Sequence, residues 1–295
     1  MKDICCIGHI TRDKIIIPGQ ETYAFGGTSY YFVHALRHIK DADFSLVTSL
    51  GEPDYEVVDE MKNLGVDVTV YPSRNTVFFE NKYGENMNNR TQRVLSKADP
   101  FSTECLKDVN AKFVHIGSLL ADDFSPEFIK EASKNCILSV DAQGFLRYVD
   151  GEKVYPCDWT NKEEIFPYID ILKVNECEIE ALTGYTDPVS AGKKIAEWGV
   201  KEVLITMGSY GSVIYCAEET VNVPAFRPKA IVDATGCGDT YAAGYLYMRS
   251  KGASRYDSGV FAAAMSSLKL QHTGPCNASR EEIEEFIRTA EIIKD

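Results

Sequence analysis

The sequence contains no apolar run of 18 residues, which excludes a membrane-spanning helix. It also lacks C-x-x-C spacing. Its nine Cys are scattered, with Cys5 and Cys6 adjacent in an apolar run, the usage of a reducing compartment where Cys acts as a small buried hydrophobe. Positive charge is scarce: 31 Lys and Arg face 44 Asp and Glu, a formal net charge of −13. Nucleic acids and anionic membranes both demand basic patches, so neither is an expected partner. The five His show no H-x-x-H or H-E-x-x-H spacing, which argues against a zinc site. No G-x-x-x-x-G-K-[ST] is present, so any phosphate chemistry needs a different frame. The opening MKDICCIGHITRD meets charge again at Arg12 without an uninterrupted apolar core. No signal peptide is expected, and the location expected is cytoplasmic.

What the sequence does hold is a regular alternation. Apolar runs at Ile4–Ile10, Phe44–Ser49, Phe113–Gly117, Ile137–Val140, Ile171–Val174, Val203–Thr206 and Ser212–Tyr215 have the length of strands. Amphipathic stretches lie between them at Tyr30–Ile39, Glu56–Leu64, Pro126–Lys134 and Ala191–Trp198, with a last one at Arg280–Ile293. Such alternation predicts an α/β fold: a mainly parallel sheet with helices on both faces, in three α/β/α layers. Two segments, 14–27 and 68–97, carry strand-like patches with no helix between them. They predict a small β-sheet lid inserted into a single domain spanning 1–295, since no repeat, low-complexity tract or linker interrupts the chain.

The stretch IVDATGCGDTYAAGYLY, Ile231–Tyr247, sets two glycines and an acid at the mouth of a helix. Gly236 and Gly238 allow conformations and approaches that a Cβ forbids. A helix starting near Asp239 leaves the amides of Gly236, Cys237 and Gly238 unpaired, an anion site suited to phosphate oxygens. An Asp at its lip can accept the proton of a hydroxyl attacking that phosphate. The plainer alternative is that Asp239 caps the helix and the glycines make a turn. Cys237 sits where a helix end favours the thiolate, among amides shaped for phosphate rather than for nucleophilic chemistry.

Other places agree. Thr206, Gly208 and Gly211 stand in T-x-G-x-x-G spacing between two strands. Asn175 and Glu178 open a helix in N-x-x-E spacing, which a capping box alone would explain. Asp13 follows the first strand, and Gly26-Gly27 precede the first helix. Together with Asp233-Ala234-Thr235-Gly236-Cys237-Gly238-Asp239, these elements resemble, in order and over almost the whole chain, the ribokinase-like (PfkB) carbohydrate kinases. The resemblance implies the ribokinase-like fold with its lid, and an enzyme transferring the γ-phosphoryl of ATP to a hydroxyl. It implies Asp239 as catalytic base, with Gly236, Cys237 and Gly238 as anion hole. Asp13, Gly26, Gly27 and Thr28 would meet the substrate, Asn175, Thr206, Gly208 and Gly211 the nucleotide, and Glu178 and Asp233 a Mg²⁺ ion.

The chain departs from the family pattern at Ala234, where a Thr is usual, so activation by K⁺ is not carried over. It also has Thr28-Ser29-Tyr30-Tyr31 where ribokinases carry a sugar-binding Asn. SVDAQGFLR, Ser139–Arg147, looks like the branch that includes myo-inositol kinases. With Asn81, Arg90 and Gln92 on the lid, Gln143 and Arg147 give a polyol several hydrogen-bonding partners. The expectation is a sugar or cyclic-polyol kinase, with a homodimer allowed. A nucleoside kinase on the same fold, or a non-catalytic sugar-binding regulator, is the alternative.

Overall fold

A computed structural model describes residues 1–83 and 90–293, with Tyr83 and Arg90 as backbone only. The chain opens with strand β1 (Lys2–Gly8) and a hairpin of β2 (Thr11–Ile17) and β3 (Gln20–Gly26), which feeds helix α1 (Thr28–Leu36). Then come β4 (Phe44–Gly51), α2 (Glu56–Asn63), β5 (Asp67–Ser73), β6 (Val77–Tyr83) and β7 (Arg90–Ser96). They are followed by β8 (Ala111–Gly117), α3 (Pro126–Ala132), β9 (Ile137–Asp141) and a second hairpin, β10 (Arg147–Asp150) with β11 (Lys153–Pro156). After the short α4 (Lys162–Ile165) run β12 (Ile171–Asn175), α5 (Glu176–Thr183) and α6 (Pro188–Glu197). Next are β13 (Glu202–Thr206), β14 (Ser212–Cys216) and β15 (Thr220–Val223), before α7 (Cys237–Ser250), α8 (Arg255–Lys269) and α9 (Arg280–Thr289).

Nine strands form one sheet in the order β15-β14-β13-β12-β9-β8-β1-β4-β5. Seven run parallel, and β14 and β15 close one side antiparallel. Strand β1 shows why this sheet is central. Its consecutive residues Cys5, Cys6 and Ile7 are all buried, as a strand covered on both faces requires. Side chains alternate between two cores: Ile4 and Cys6 pack with Phe32, Leu36, Tyr245 and Met265 from α1, α7 and α8. Cys5 and Ile7 pack with Phe128, Ile129, Ile179 and Ile195 from α3, α5 and α6. The expected three layers are present.

A second, six-stranded sheet has the order β10-β11-β7-β6-β2-β3. Two boundaries differ from the sequence expectation. Segment 68–97 divides, because β5 pairs parallel with β4 and belongs to the large sheet. The hairpin β10–β11, unforeseen, completes the small sheet; Asp150 pairs with Lys153 around the two-residue turn Gly151-Glu152, with Gly151 at φ 60. Val77, Phe79 and Val94 form one face of the small sheet and pack on Leu119 and Leu120, which follow β8. Residues 84–89, and the side chain of Arg90 that the sequence placed on the lid, lie outside the described residues.

Candidate active site

Helix α7 begins at Cys237 with Gly236 as its N-cap in the left-handed region, φ 76, and no side chain caps it. Asp239 is therefore not the helix cap. It sits at the third helical position, in the first turn, where amides have no intrahelical acceptor. Both glycines answer to neighbours inside the protein. A Cβ on Gly236 would stand 2.2 Å from Tyr31 Cδ1, and one on Gly238 would stand 2.8 Å from Lys173 Nζ. One expectation needs correction. The Cys237 amide is not free but donates to Ala234 O at 3.2 Å, closing a tight turn. Its thiol is not activated either: burial pushes Cys237 up to about 12, with Lys269 opposing and Asp233 and Asp239 adding to the rise.

Asp239 is held up to about 7, mainly by burial and then by the Asp141 carboxylate, while Lys173 and Arg147 pull it down and Glu178 adds a further rise. Lys173 is 4% exposed and donates to Asp141 Oδ2 at 3.0 Å. Burial works against its charge, but Asp141, Glu178 and Asp239 outweigh that and raise its pKa. Register explains the meeting: Lys173, in the middle of β12, pairs with Asp141 at the carboxyl end of the adjacent parallel strand β9, the side of the sheet where α/β proteins bind ligands. Neither residue was singled out from sequence. A signal existed, since a lone Lys in the buried strand ILKVN must find a carboxylate.

Asn175 caps α5, accepting from the Cys177 and Glu178 amides at 2.9 Å each, while Glu178 Oε2 accepts from Asn175 N at 2.8 Å. The capping box is thus present in full. Glu178 is nonetheless buried, and burial lifts its pKa against the pull of Lys173. Asp233, assigned to a metal by the resemblance, has its carboxylate occupied. Oδ2 pairs with Lys269 Nζ at 3.0 Å, and Oδ1 accepts from Thr235 N at 2.9 Å. Burial opposes that charge, but these partners hold its pKa low. Among the described residues no three His, Cys, Asp or Glu side chains form a metal cluster.

On the facing side, Asp13 lies on β2, and a Cβ on Gly26 would stand 2.7 Å from its Oδ2, so Gly26 makes room for that carboxylate. Gly27 caps α1 at φ 93, 2.7 Å short of His9 O by the same construction. Thr28 is buried against Gly117. Tyr31 lies between these parts: burial raises its phenol pKa first, then Asp233, Asp13 and Asp239. Gln143 N donates to Asp141 Oδ1 at 3.0 Å, and Arg147 starts β10 within electrostatic reach of Asp239 and Glu178. Asn81 is 7% exposed on the small sheet and accepts from Gln92 Nε2 at 3.0 Å. At the β13–β14 turn, Thr206 Oγ1 donates to Val174 O at 3.4 Å. Gly208 and Gly211 take positive φ there, and a Cβ on Gly211 would meet Val223 O at 2.1 Å. A cavity of about 730 Å³ opens between α8 and α9, away from Asp239, lined by Arg227, Lys229, Gln271, His272 and Asn277.

The family model for pfkB family carbohydrate kinases matches residues 1–282, and the chain belongs to that family. Ribokinase from Arabidopsis thaliana is 37% identical over 117 residues, 38% of this chain but only 31% of that protein. Cytidine kinase from Thermococcus kodakarensis is 25% identical over 263 residues, 85% of this chain and 90% of that one. Among solved structures, a pyrophosphate-dependent kinase in the ribokinase family, complexed with a pyrophosphate analog and myo-inositol, is 31% identical. It covers 96% of this chain and 99% of its own, with a TM-score of 0.84. A pyrophosphate-dependent myo-inositol-1 kinase, converted into a myo-inositol-3 kinase by replacing an Asn and a Ser with Leu, is 29% identical over 96% of this chain and 98% of its own, with a TM-score of 0.81.

Proposed function

We propose that this protein transfers the terminal phosphoryl group of a phosphoanhydride donor to one hydroxyl of a cyclic polyol of the inositol class. The observation that carries this reading is Asp239, uncapping and raised to about 7 at the first turn of α7, beside the buried Lys173–Asp141 pair. A carboxylate poised near neutrality is suited to take a hydroxyl proton at physiological pH. As the acceptor oxygen bonds to phosphorus, the bridging P–O bond breaks, its electron pair leaves with the bridging oxygen, and the proton passes to Asp239. The Gly238 and Asp239 amides, with the Lys173 ammonium below Gly238, meet the charge on the transferring group. Glu178, whose Oε2 accepts from Asn175 N, would hold a Mg²⁺ ion, which would neutralise phosphate charge. Asp233 is not needed for it.

On the acceptor side, Asp13, Arg147 and the Asn81–Gln92 pair offer carboxylate, guanidinium and amide groups to a ring of hydroxyls. Asn81 and Gln92 face each other on β6 and β7, and the exchange of an Asn and a Ser for Leu in the related myo-inositol kinase favours a role for such a pair in choosing the hydroxyl. Replacing both Asn81 and Gln92 with Leu is expected to change the phosphorylated position, read by NMR of the product; an unchanged product would remove the pair from that role. ATP is the donor the family resemblance implies. A second reading, inorganic pyrophosphate, is favoured by the 31% identical structure, which is complexed with a pyrophosphate analog. The deciding experiment is a turnover panel of inositols, pentoses, hexoses and cytidine, each with ATP and with pyrophosphate. Cytidine as best acceptor would make the protein a nucleoside kinase, and binding without turnover on any pair would leave a sugar-binding regulator.

A further inference from the structure

Lys269 ends α8 with its side chain fully buried, 0% exposed, and no part in the chemistry above. Its ammonium has three donors, and the fold supplies three oxygens. They are Asp233 O at 2.9 Å, Asp233 Oδ2 at 3.0 Å and His272 O at 3.4 Å. The nitrogen also lies 6.0 Å from the centroid of Tyr31, the ring on which Gly236 rests. More ties run between the same two segments. The amides of Val232 and Asp233 donate to Leu270 O at 2.8 and 3.3 Å, and Ser266 Oγ donates to Cys237 O at 3.0 Å. Every one of them joins residues 232–237 to the last turn of α8 or the turn after it.

We infer that Lys269 is a positioning residue for phosphoryl transfer: a built-in cation that clamps the 233–236 loop and so fixes the start of α7 and the direction of its first amides. The inference rests on the kinase reading above. A buried ammonium is costly unless every donor is used, and here every donor is spent on one loop and the turn beside it. Within the loop, the Lys269 ammonium is the charged group that holds Asp233. Ala234 and Thr235 are exposed, and Gly236 is free to rotate once its Tyr31 contact loosens. An error of about 1 Å in the frame is enough to cost about 100-fold in rate.

The test compares Lys269→Met with the double variant Lys269→Met/Asp233→Asn. The first leaves Asp233 as an uncompensated charge, so its melting temperature falls as well. The second removes both charges, keeps a carbonyl oxygen for the Thr235 amide, and is expected to recover much of the melting temperature. With myo-inositol and either ATP or pyrophosphate, kcat is expected to stay about 10- to 100-fold low in both variants, with the acceptor KM within about twofold of wild type. Recovery of both melting temperature and kcat in the double variant would reduce Lys269 to half of a structural ion pair. Should Lys269→Met not fold, the double variant against wild type gives the same comparison. Amide hydrogen exchange gives a readout that needs no activity: the 232–238 amides are expected to exchange at least about tenfold faster in the double variant, with the middle of α7 unchanged. Equal exchange would overturn the clamp. A wild-type protein inactive with every donor and acceptor would instead sink the kinase reading, while the exchange result would still decide the clamp.

Discussion

At the scale of single residues, Asp239, the proposed base, carries a cost in stability. Its folded pKa of about 7 lies above the ordinary carboxylate value of 3.8, burial being the main cause. Between those values the folded state holds a proton that the unfolded chain has released. Stability from this group is thus fully present below about pH 4 and is lost as pH rises toward 7. Activity runs the other way: kcat/KM is expected to climb with pH and level off above about 7, read from a pH–rate profile. Asp239→Asn removes the proposed base and a half-buried charge together. It is expected to lower kcat by about 1000-fold or more while raising the melting temperature at pH 8; a variant with normal turnover would dismiss Asp239 as base. Gly236→Ala places a Cβ both at φ 76 and inside the Tyr31 ring, and is expected to cost about 2 kcal/mol or more in chemical denaturation. Gly236 and Asp239 were legible as a frame and an acid. The ring against Gly236 was not, because nothing in a linear sequence says that α1 will lie across the start of α7.

At the scale of elements, pairing decides which side chains share the site. Parallel register puts Asp141 beside Lys173, so two residues that mean little alone become the cation and carboxylate under Asp239. The small sheet is held over this end of the large one by Val77, Phe79, Val94, Leu119 and Leu120. Leu120→Ala, at a fully buried position, is expected to cost about 2–5 kcal/mol. Because the loss falls on the packing of the acceptor-side sheet, acceptor KM should rise more than kcat falls; steady-state kinetics in both substrates checks this. The boundaries of this sheet were only partly legible. Segment 14–27 was, since β2 and β3 form a hairpin with no helix between them. Strand β5 was misassigned because its alternation is equally at home on the edge of the large sheet. The β10–β11 hairpin was passed over for being two strands of only four residues around the two-residue turn Gly151-Glu152.

At the scale of the whole molecule, Glu202 joins the layers. It starts β13, is buried, and accepts from Tyr245 at 2.6 Å, from Arg249 at 2.7 and 2.8 Å, and from Arg255 at 2.5 Å. Sheet, α7 and α8 therefore share one carboxylate. Glu202→Gln leaves two guanidinium groups facing a neutral amide and is expected to cost about 3–5 kcal/mol, lowering the melting temperature with little change in KM. The layered α/β architecture was determined by the sequence alone, because strand-length apolar runs alternating with amphipathic helices have few other ways to bury themselves. So was the α7 frame, since Gly236 takes a left-handed turn that glycine favours and Asp239 follows it in the first turn. Tertiary structure decided the rest: that Asp233 is held by Lys269, that burial raises the Cys237 thiol pKa, and that Lys173 and Asp141 meet beneath Asp239. Those facts depend on strand register and helix packing between residues far apart in the chain, and charge and pKa follow from such neighbours rather than from residue type.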